Sequence, residues 1–111
     1  MPYYHYTSRQ GAQDIICARL IIPGPSGHIY LTPKLYVIGY QAANELSIIN
    51  KAVEMACEIP DSLVAAPTPP RRVRPLRGPH GNIIRRGGGW EVSTMQMIDV
   101  SRVQWISLRE P

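Results

Sequence analysis

The chain has few cysteines and no long apolar run. Cys17 and Cys57, its two cysteines in 111 residues, lie in apolar surroundings without metal-ligand spacing. We therefore expect two buried free thiols, and neither a disulfide nor a metal site. The longest apolar stretches, such as LII and LYVI, are far too short to span a membrane, so no membrane segment or signal peptide is expected. At 12.4 kDa the chain has room for one domain with a modest core.

Acidic residues are missing between Asp61 and Glu91, although the chain contains eight. Six of its twelve basic residues fall in that interval, which leaves six against eight elsewhere. Repeated prolines and glycines exclude a regular helix or a central strand, so residues 60–89, here called the arginine segment, are predicted to be a long mobile or wrapped loop. Such a loop suits a polyanion or an acidic protein, and the alternative is a solvated charge run without a specific partner. The six residues are Arg71, Arg72, Arg74, Arg77, Arg85 and Arg86.

The first third of the chain predicts a strand followed by a helix. PYYHYT is short, aromatic and typical of a strand. Thr7 with Gln10 three residues later is a capping-box pattern, which predicts a helix through RQGAQDIICARL. Its expected buried face consists of Ile15, Ile16 and Leu20.

The middle of the chain predicts a strand, a second helix and a third strand. HIYLT follows the turn PGPSG and is a strand candidate. Thr32 as N-cap and Pro33 at the first helical position predict a helix through KLYVIGYQAANELSII, residues 34–49, with an interruption near Gly39 as the alternative. AVEMACEI alternates between two faces and predicts a half-buried strand. Its expected apolar face is Val53, Met55, Cys57 and Ile59, and its polar face is Glu54, Ala56 and Glu58.

Two further strands, WEVSTMQMI and SRVQWISL, complete the layout. The order is strand, helix, strand, helix, strand, long loop, strand, strand. This order predicts one α+β domain over residues 1–111.

Three segments in this order carry a resemblance: YHYTS, IYLTPKLYVIGY and the glycine-led GGGWEVS with its one glutamate. They resemble the diphtheria-toxin-like ADP-ribosyltransferases, whose signature is His, Tyr and Glu on three separated strands. The opening looks most like the small toxin modules at the ends of bacterial polymorphic toxins. The resemblance covers nearly the whole chain. It implies two short, mostly antiparallel sheets around an NAD cleft, with two helices.

The resemblance also implies roles for individual residues, with NAD as a substrate and no metal. His5 matches the histidine that hydrogen-bonds the adenosine-side ribose, and Tyr6 lies where backbone groups hold the nicotinamide amide. Tyr30 and Tyr40 match the two rings that sandwich nicotinamide. Glu91 matches the catalytic glutamate.

The reaction gives physical reasons for these residue types. Breaking the bond between nicotinamide and ribose passes through a transition state that resembles an oxocarbenium ion. Aromatic rings attract the flat cationic nicotinamide by roughly 0.5–2 kcal/mol, and a carboxylate stabilises the developing cation. Thr32 and Tyr36 complete the candidate NAD-binding set. Tyr36 lies four residues before Tyr40 on the predicted helix, so one of these two rings is an alternative packing residue.

Gly89 is a departure from some relatives. It stands two residues before Glu91, where relatives that modify arginine or asparagine carry Glu or Gln, and this argues against an arginine target. His28 and His80 have no partner pattern and are interpreted as surface residues. Trp90 and Trp105 are interpreted as core or cleft-wall residues.

The resemblance predicts a toxin effector domain that transfers ADP-ribose from NAD to a macromolecule, either RNA, DNA or protein. We expect it to act in the cytoplasm of a target cell, delivered within a larger secreted protein and neutralised by an immunity protein. The alternatives are an NAD glycohydrolase, in which water is the acceptor, and a non-catalytic nucleic-acid-binding domain with stacking tyrosines. The expected target-binding residues are Arg71, Arg72, Arg74 and Arg77.

Overall fold

A computed structural model describes residues 1–49 and 52–109. Within these ranges, two α-helices and several antiparallel sheets form, which confirms the predicted α+β class. The elements in chain order are β1 (Tyr3–Thr7), α1 (Arg9–Ala18), β2 (Leu20–Ile21), β3 (Ile29–Leu31), α2 (Gly39–Glu45), β4 (Met55–Ile59), a 3-10 helix (Asp61–Leu63), β5 (Arg71–Arg72), β6 (Leu76–Arg77), β7 (Ile83–Arg85), β8 (Trp90–Thr94), β9 (Ile98–Asp99) and β10 (Gln104–Ser107).

The first sheet has the order β1-β4-β10, and both of its pairings are antiparallel. Cys57 and Ile59 of β4 belong to one core cluster, and Ala56 belongs to a second cluster with Tyr6 and Ala42. The strand predicted in AVEMACEI is confirmed. Its predicted polar face is wrong at Ala56, which is fully buried, because residues before and within α2 cover that side of the sheet.

The second sheet has the order β3-β8-β5 and is also antiparallel. An isolated bridge joins it to the first sheet. Tyr4 N donates to Thr32 O at 2.8 Å, and Thr32 N donates to Tyr4 O at 3.0 Å. The edge of β1 that does not pair with β4 is therefore hydrogen-bonded to the residue that follows β3. Two small pairings, β2 with β9 and β6 with β7, flank these sheets.

The N-cap of helix α1 lies one residue later than predicted, at Ser8 and not at Thr7. Ser8 is the N-cap, and its Oγ accepts a hydrogen bond from Gly11 N at 3.0 Å. The predicted buried face is wrong at Ile16, which is 51% exposed, because Ala12 supplies the buried contact of this helix. The prediction of two buried thiols is wrong for Cys17, which is exposed on α1, whereas Cys57 is buried.

Helix α2 is much shorter than predicted, because it begins at Gly39 and not at residue 34. Long-range hydrogen bonds hold the preceding residues out of the helix. Arg109 N donates to Val37 O at 2.8 Å, and Gly39 N donates to Arg109 O at 3.0 Å. Tyr36 N donates to the Tyr6 hydroxyl at 2.6 Å. Local sequence favours a helix here, but pairing with distant residues satisfies the same backbone groups.

The arginine segment is wrapped against the domain at several points. Thr68 N donates to Ser93 O at 2.9 Å, and Val73 N donates to Gly89 O at 2.8 Å. The hydroxyl of Ser47 donates to Arg74 O at 2.7 Å. The segment also contains three short strands, of which β5 lies at a sheet edge and β6 pairs with β7. No helix in the described ranges has the length and hydropathy needed to cross a membrane.

Candidate functional site

A cavity of about 700 Å³ lies where the two three-stranded sheets meet. Apolar residues from β2, β3 and residues 46–49 form much of its wall. Polar and aromatic residues reach it from β1, β3, β5 and β8 and from the residue that follows β3. Those among the sequence candidates are His5, Tyr6, Tyr30, Thr32, Arg71 and Glu91.

Strand pairing explains how distant residues reach one cavity. His5 lies on β1, beside the bridge between Tyr4 and Thr32 that leads into β3. Tyr30 of β3 pairs with Ser93 of β8, and Glu91 precedes that partner by two residues. Residues two apart on a strand share a face of the sheet. The three signature residues therefore lie on three strands that border one another.

The His5 imidazole is oriented by the neighbouring strand. Its Nδ1 lies 3.1 Å from Tyr30 O. A carbonyl oxygen only accepts hydrogen bonds, so Nδ1 is the protonated nitrogen in this contact. The contact ties the position of the ring to the backbone of the residue whose own ring lines the cavity.

Glu91 has one fixed carboxylate oxygen. Its Oε1 accepts a hydrogen bond from Arg71 Nε at 3.1 Å. The Glu91 side chain is 20% exposed, and both residues line the cavity. No hydrogen bond to Oε2 forms within the described ranges. One oxygen of this carboxylate therefore remains available to a ligand.

The candidate tyrosines fall into three environments. Tyr30 lines the cavity and is 43% exposed. Tyr40 is 58% exposed on α2 and is not among the described residues that line the cavity. Tyr36 is 2% exposed, and its hydroxyl donates to Glu45 Oε1 at 3.0 Å. The structure brings Tyr30 to the cavity, and it brings neither Tyr36 nor Tyr40.

Tyr6 and Thr32 hydrogen-bond the backbone of residues 34–36. The Tyr6 hydroxyl donates to Lys34 O at 3.0 Å and accepts from Tyr36 N, and the two tyrosine rings meet edge to face at 5.8 Å. Burial raises the pKa of Tyr6 to about 12, so this hydroxyl stays protonated and donates at neutral pH. Thr32 Oγ1 accepts from Lys34 N at 3.3 Å. Both side chains hold the residues that follow β3.

The four arginines expected to act together point to different places. Arg71 faces the cavity, whereas the Arg72 guanidinium lies 4.3 Å from the centroid of the Trp90 ring. Arg77 Nη1 donates to Gly81 O at 2.9 Å, within its own hairpin. Arg74 is exposed. Only Arg71 of the four lies in the cavity wall.

His28 is a cavity residue that sequence reasoning missed. It is half-buried, and its ring centroid lies 6.1 Å from that of Tyr30. Its Nδ1 is buried, and no hydrogen-bond partner for it exists in the described ranges. The useful signal was its position two residues before Tyr30 in the predicted strand HIYLT, because residues two apart on a strand share a face.

The packing around Gly89 is tight. A Cβ at this position would lie 3.0 Å from Glu45 O, 3.0 Å from the Tyr36 hydroxyl and 3.2 Å from Leu46 Cδ2. A Glu or Gln here would require these neighbours to move.

No cluster of three or more potential metal ligands forms among residues 1–49 and 52–109. Comparisons with protein-family models, curated proteins and solved structures found no match to this chain.

Proposed function

We propose that this chain is an NAD-dependent ADP-ribosyltransferase with a small ADP-ribosyltransferase-like fold, acting as a bacterial toxin effector domain. The observation that carries the proposal is the cavity shared by His5, Tyr30 and Glu91. These residues are separated by 25 and 61 positions in the sequence. The two sheets meet at the bridge between Tyr4 and Thr32, and a cavity between two sheets supports a fold of this kind.

The size and lining of the cavity are those of a small-molecule or cofactor site. A volume of about 700 Å³ lies within the range of roughly 300–1,000 Å³ that is usual for small-molecule and cofactor sites. Such sites combine apolar walls with a few polar groups that fix orientation. Here Ile21, Ile29 and Leu31 contribute apolar wall, while His5 and Glu91 supply polar groups.

In the proposed reaction, the bond between the ribose C1′ and the nicotinamide nitrogen breaks, and nicotinamide leaves with the bonding electrons. The acceptor forms the new bond to C1′ and loses a proton. Tyr30 offers a ring face to nicotinamide, His5 holds a ribose, and the Glu91 carboxylate stabilises positive charge on the sugar. Because that charge develops in the transition state, Glu91 acts mainly on turnover.

The acceptor is proposed to be a macromolecule that approaches the exposed part of the arginine segment. Arg72, Arg74 and Arg77 are exposed and suit an anionic surface such as RNA or DNA. The same surface suits an acidic immunity protein. An arginine side chain as acceptor is disfavoured, because Gly89 stands where arginine-modifying members of this family carry Glu or Gln.

The test is incubation of the purified chain with NAD, with chromatographic detection of nicotinamide. A parallel incubation with labelled NAD and a cell lysate, followed by protease or nuclease, identifies the class of macromolecule that carries the label. Transfer of label supports the proposal. Nicotinamide release without any transfer would instead indicate a glycohydrolase, and binding of nucleic acid without NAD cleavage would indicate the non-catalytic alternative.

A further inference from the structure

Arg71 and Glu91 are joined twice, once through their backbones and once through their side chains. They are direct partners in the antiparallel pairing of β5 with β8. Side chains opposite each other in such a pair lie on the same face of the sheet, about 5 Å apart at Cβ. The hydrogen bond from Arg71 Nε to Glu91 Oε1 is 3.1 Å long.

The neighbouring pair lies on the opposite face. Arg72 is the partner of Trp90 in the same register, and its guanidinium packs over the indole ring. Arg72 Nη1 also donates to Gly88 O at 2.6 Å. Successive side chains on a strand point to opposite faces of the sheet. Arg71 therefore points into the cavity, and Arg72 points away from it.

The hydrogen bond constrains a flexible side chain. Glutamate has three rotatable side-chain bonds, and the last of them rotates over a broad energy minimum. A donor bound to Oε1 selects one orientation of the carboxylate. Since Oε2 accepts no hydrogen bond from the described residues, the selected orientation leaves that oxygen for a ligand hydroxyl.

We infer that Arg71 is a positioning residue that holds the Glu91 carboxylate so that its second oxygen faces the cavity. This inference rests on the proposed function. It assigns Arg71 to the reaction centre and separates it from the arginines that approach the acceptor. Its effect is expected on turnover, because a misplaced catalytic group loses alignment while the substrate still binds.

The test compares Arg71→Met, Arg71→Lys and Glu91→Gln in steady-state nicotinamide release, with NAD affinity measured by calorimetry. Met keeps the apolar stem and removes the donor, so kcat should fall roughly tenfold to a hundredfold, with a dissociation constant for NAD within about twofold of the original. Lys restores one donor and part of the rate. Arg102→Met removes an equal charge from a turn outside the cavity and is expected to be silent.

A double-mutant cycle separates positioning from independent binding. If Arg71 acts through Glu91, adding Arg71→Met to Glu91→Gln should change kcat by less than about threefold. A fully additive loss, or a large loss of NAD affinity in Arg71→Met alone, would overturn the inference while leaving the transferase intact. An unmodified chain that cleaves no NAD would instead refute the proposed function, and the positioning role with it.

Discussion

The cavity brings together residues that are distant in the sequence, whereas the arginine segment separates residues that are adjacent in it. In the cavity, residues as distant as His5 and Glu91 converge, because β1 continues into β3 and β3 pairs with β8. In the arginine segment, the neighbours Arg71 and Arg72 diverge to opposite faces of one strand. A contiguous run of like charge is therefore not one site. The strand register decides which of its members reach the cavity.

The largest expected effect tests whether the cavity is the reaction centre. Glu91→Gln keeps the size of the side chain and removes its charge. We expect transfer to fall about a hundredfold or more, as when one preorganised electrostatic group is deleted. NAD affinity measured by calorimetry should change far less.

The control is Glu58→Gln, which removes the same charge from β4 at a residue that does not line the cavity, although its hydrogen-bond donor Tyr4, 3.1 Å away, does. Near-normal turnover in the Glu91 variant would contradict the catalytic role and most of the case for a transferase.

The second effect tests whether the arginine segment is fixed to the domain. Gly87 has a φ of +68°, and a Cβ there would lie 2.7 Å from the carbonyl of Arg74. We expect Gly87→Ala to lower the free energy of unfolding by about 2–4 kcal/mol, from left-handed strain and a backbone clash together. Chemical denaturation measures this loss.

Gly81→Ala is the matched control, because Gly81 has a φ of +79° but open space around its Cβ position. Its cost should be limited to strain, about 1–2 kcal/mol. Equal losses at both positions would indicate that contact with Arg74 contributes nothing and that the segment is looser than the hydrogen bonds indicate.

The third effect concerns the exposed arginines. We expect the triple change of Arg72, Arg74 and Arg77 to Ala to weaken target modification and to reduce its salt dependence, by about one unit of log–log slope per lost phosphate contact. The KM for NAD should be unchanged, because these side chains lie outside the cavity wall. Transfer measured at several salt concentrations gives both quantities.

The control removes three charges elsewhere, at Arg9, Arg102 and Arg109. If that variant loses as much target modification, net charge and not the arginine segment governs the acceptor. If the first variant loses NAD affinity as well, the separation of the two regions is wrong.

The fourth effect separates the tyrosines. Tyr30→Ala should weaken NAD binding roughly two- to thirtyfold, the range of a cation–π contact, and Tyr30→Phe should be mild because stacking needs the ring. Tyr40→Ala should leave binding unchanged, since Tyr40 lies outside the cavity. Tyr36→Ala should lower stability, because this ring is buried and its removal would leave a cavity. If Tyr40→Ala weakened NAD binding as much as Tyr30→Ala, both rings would contact nicotinamide, as the sequence predicted.

The last effect is an alkaline loss of stability from the buried groups Tyr6 and Cys57. Burial raises the pKa of Tyr6 from 10.0 to about 12 and that of Cys57 from 9.0 to about 12. Between pH 9 and 12 the unfolded chain therefore binds fewer protons than the folded one, and stability falls as pH rises. Thermal unfolding at pH 8 and 11 should show a lower Tm at pH 11.

Tyr6→Phe should flatten this fall while lowering stability at pH 8, because it also removes the hydrogen bonds to Lys34 and Tyr36. An unchanged pH dependence in this variant would mean that Tyr6 titrates normally in the folded chain.

Sequence patterns were sufficient where local signals and tertiary contacts agree. The strand with Cys57, the first helix and the strand with Glu91 were predicted from alternation, capping and a glycine-led apolar stretch, and all three form. The ends of elements were less secure. Ser8 replaces Thr7 as the cap, since two adjacent hydroxyl residues offer the same local signal.

The helix after Pro33 shows why local signals fail. Its residues have the cap and the apolar spacing of a helix, but residues 36–38 are bound by Tyr6 and Arg109 from opposite ends of the chain. No local pattern contains that information. The same hydrogen bonds place Tyr36 in the core. Because Tyr36 precedes the helix, Tyr36 and Tyr40 do not share a helical face as predicted.

Composition and periodicity thus predicted an α+β domain and a carboxylate-free basic segment. Local chemistry is sufficient for these, because charge, capping and alternation act over a few residues. The pairing of Arg71 with Glu91, the inclusion of His28 and the exclusion of Tyr40 followed from strand register and from the bridge between the sheets. These relations join residues tens of positions apart, and they exist only when the whole core has formed.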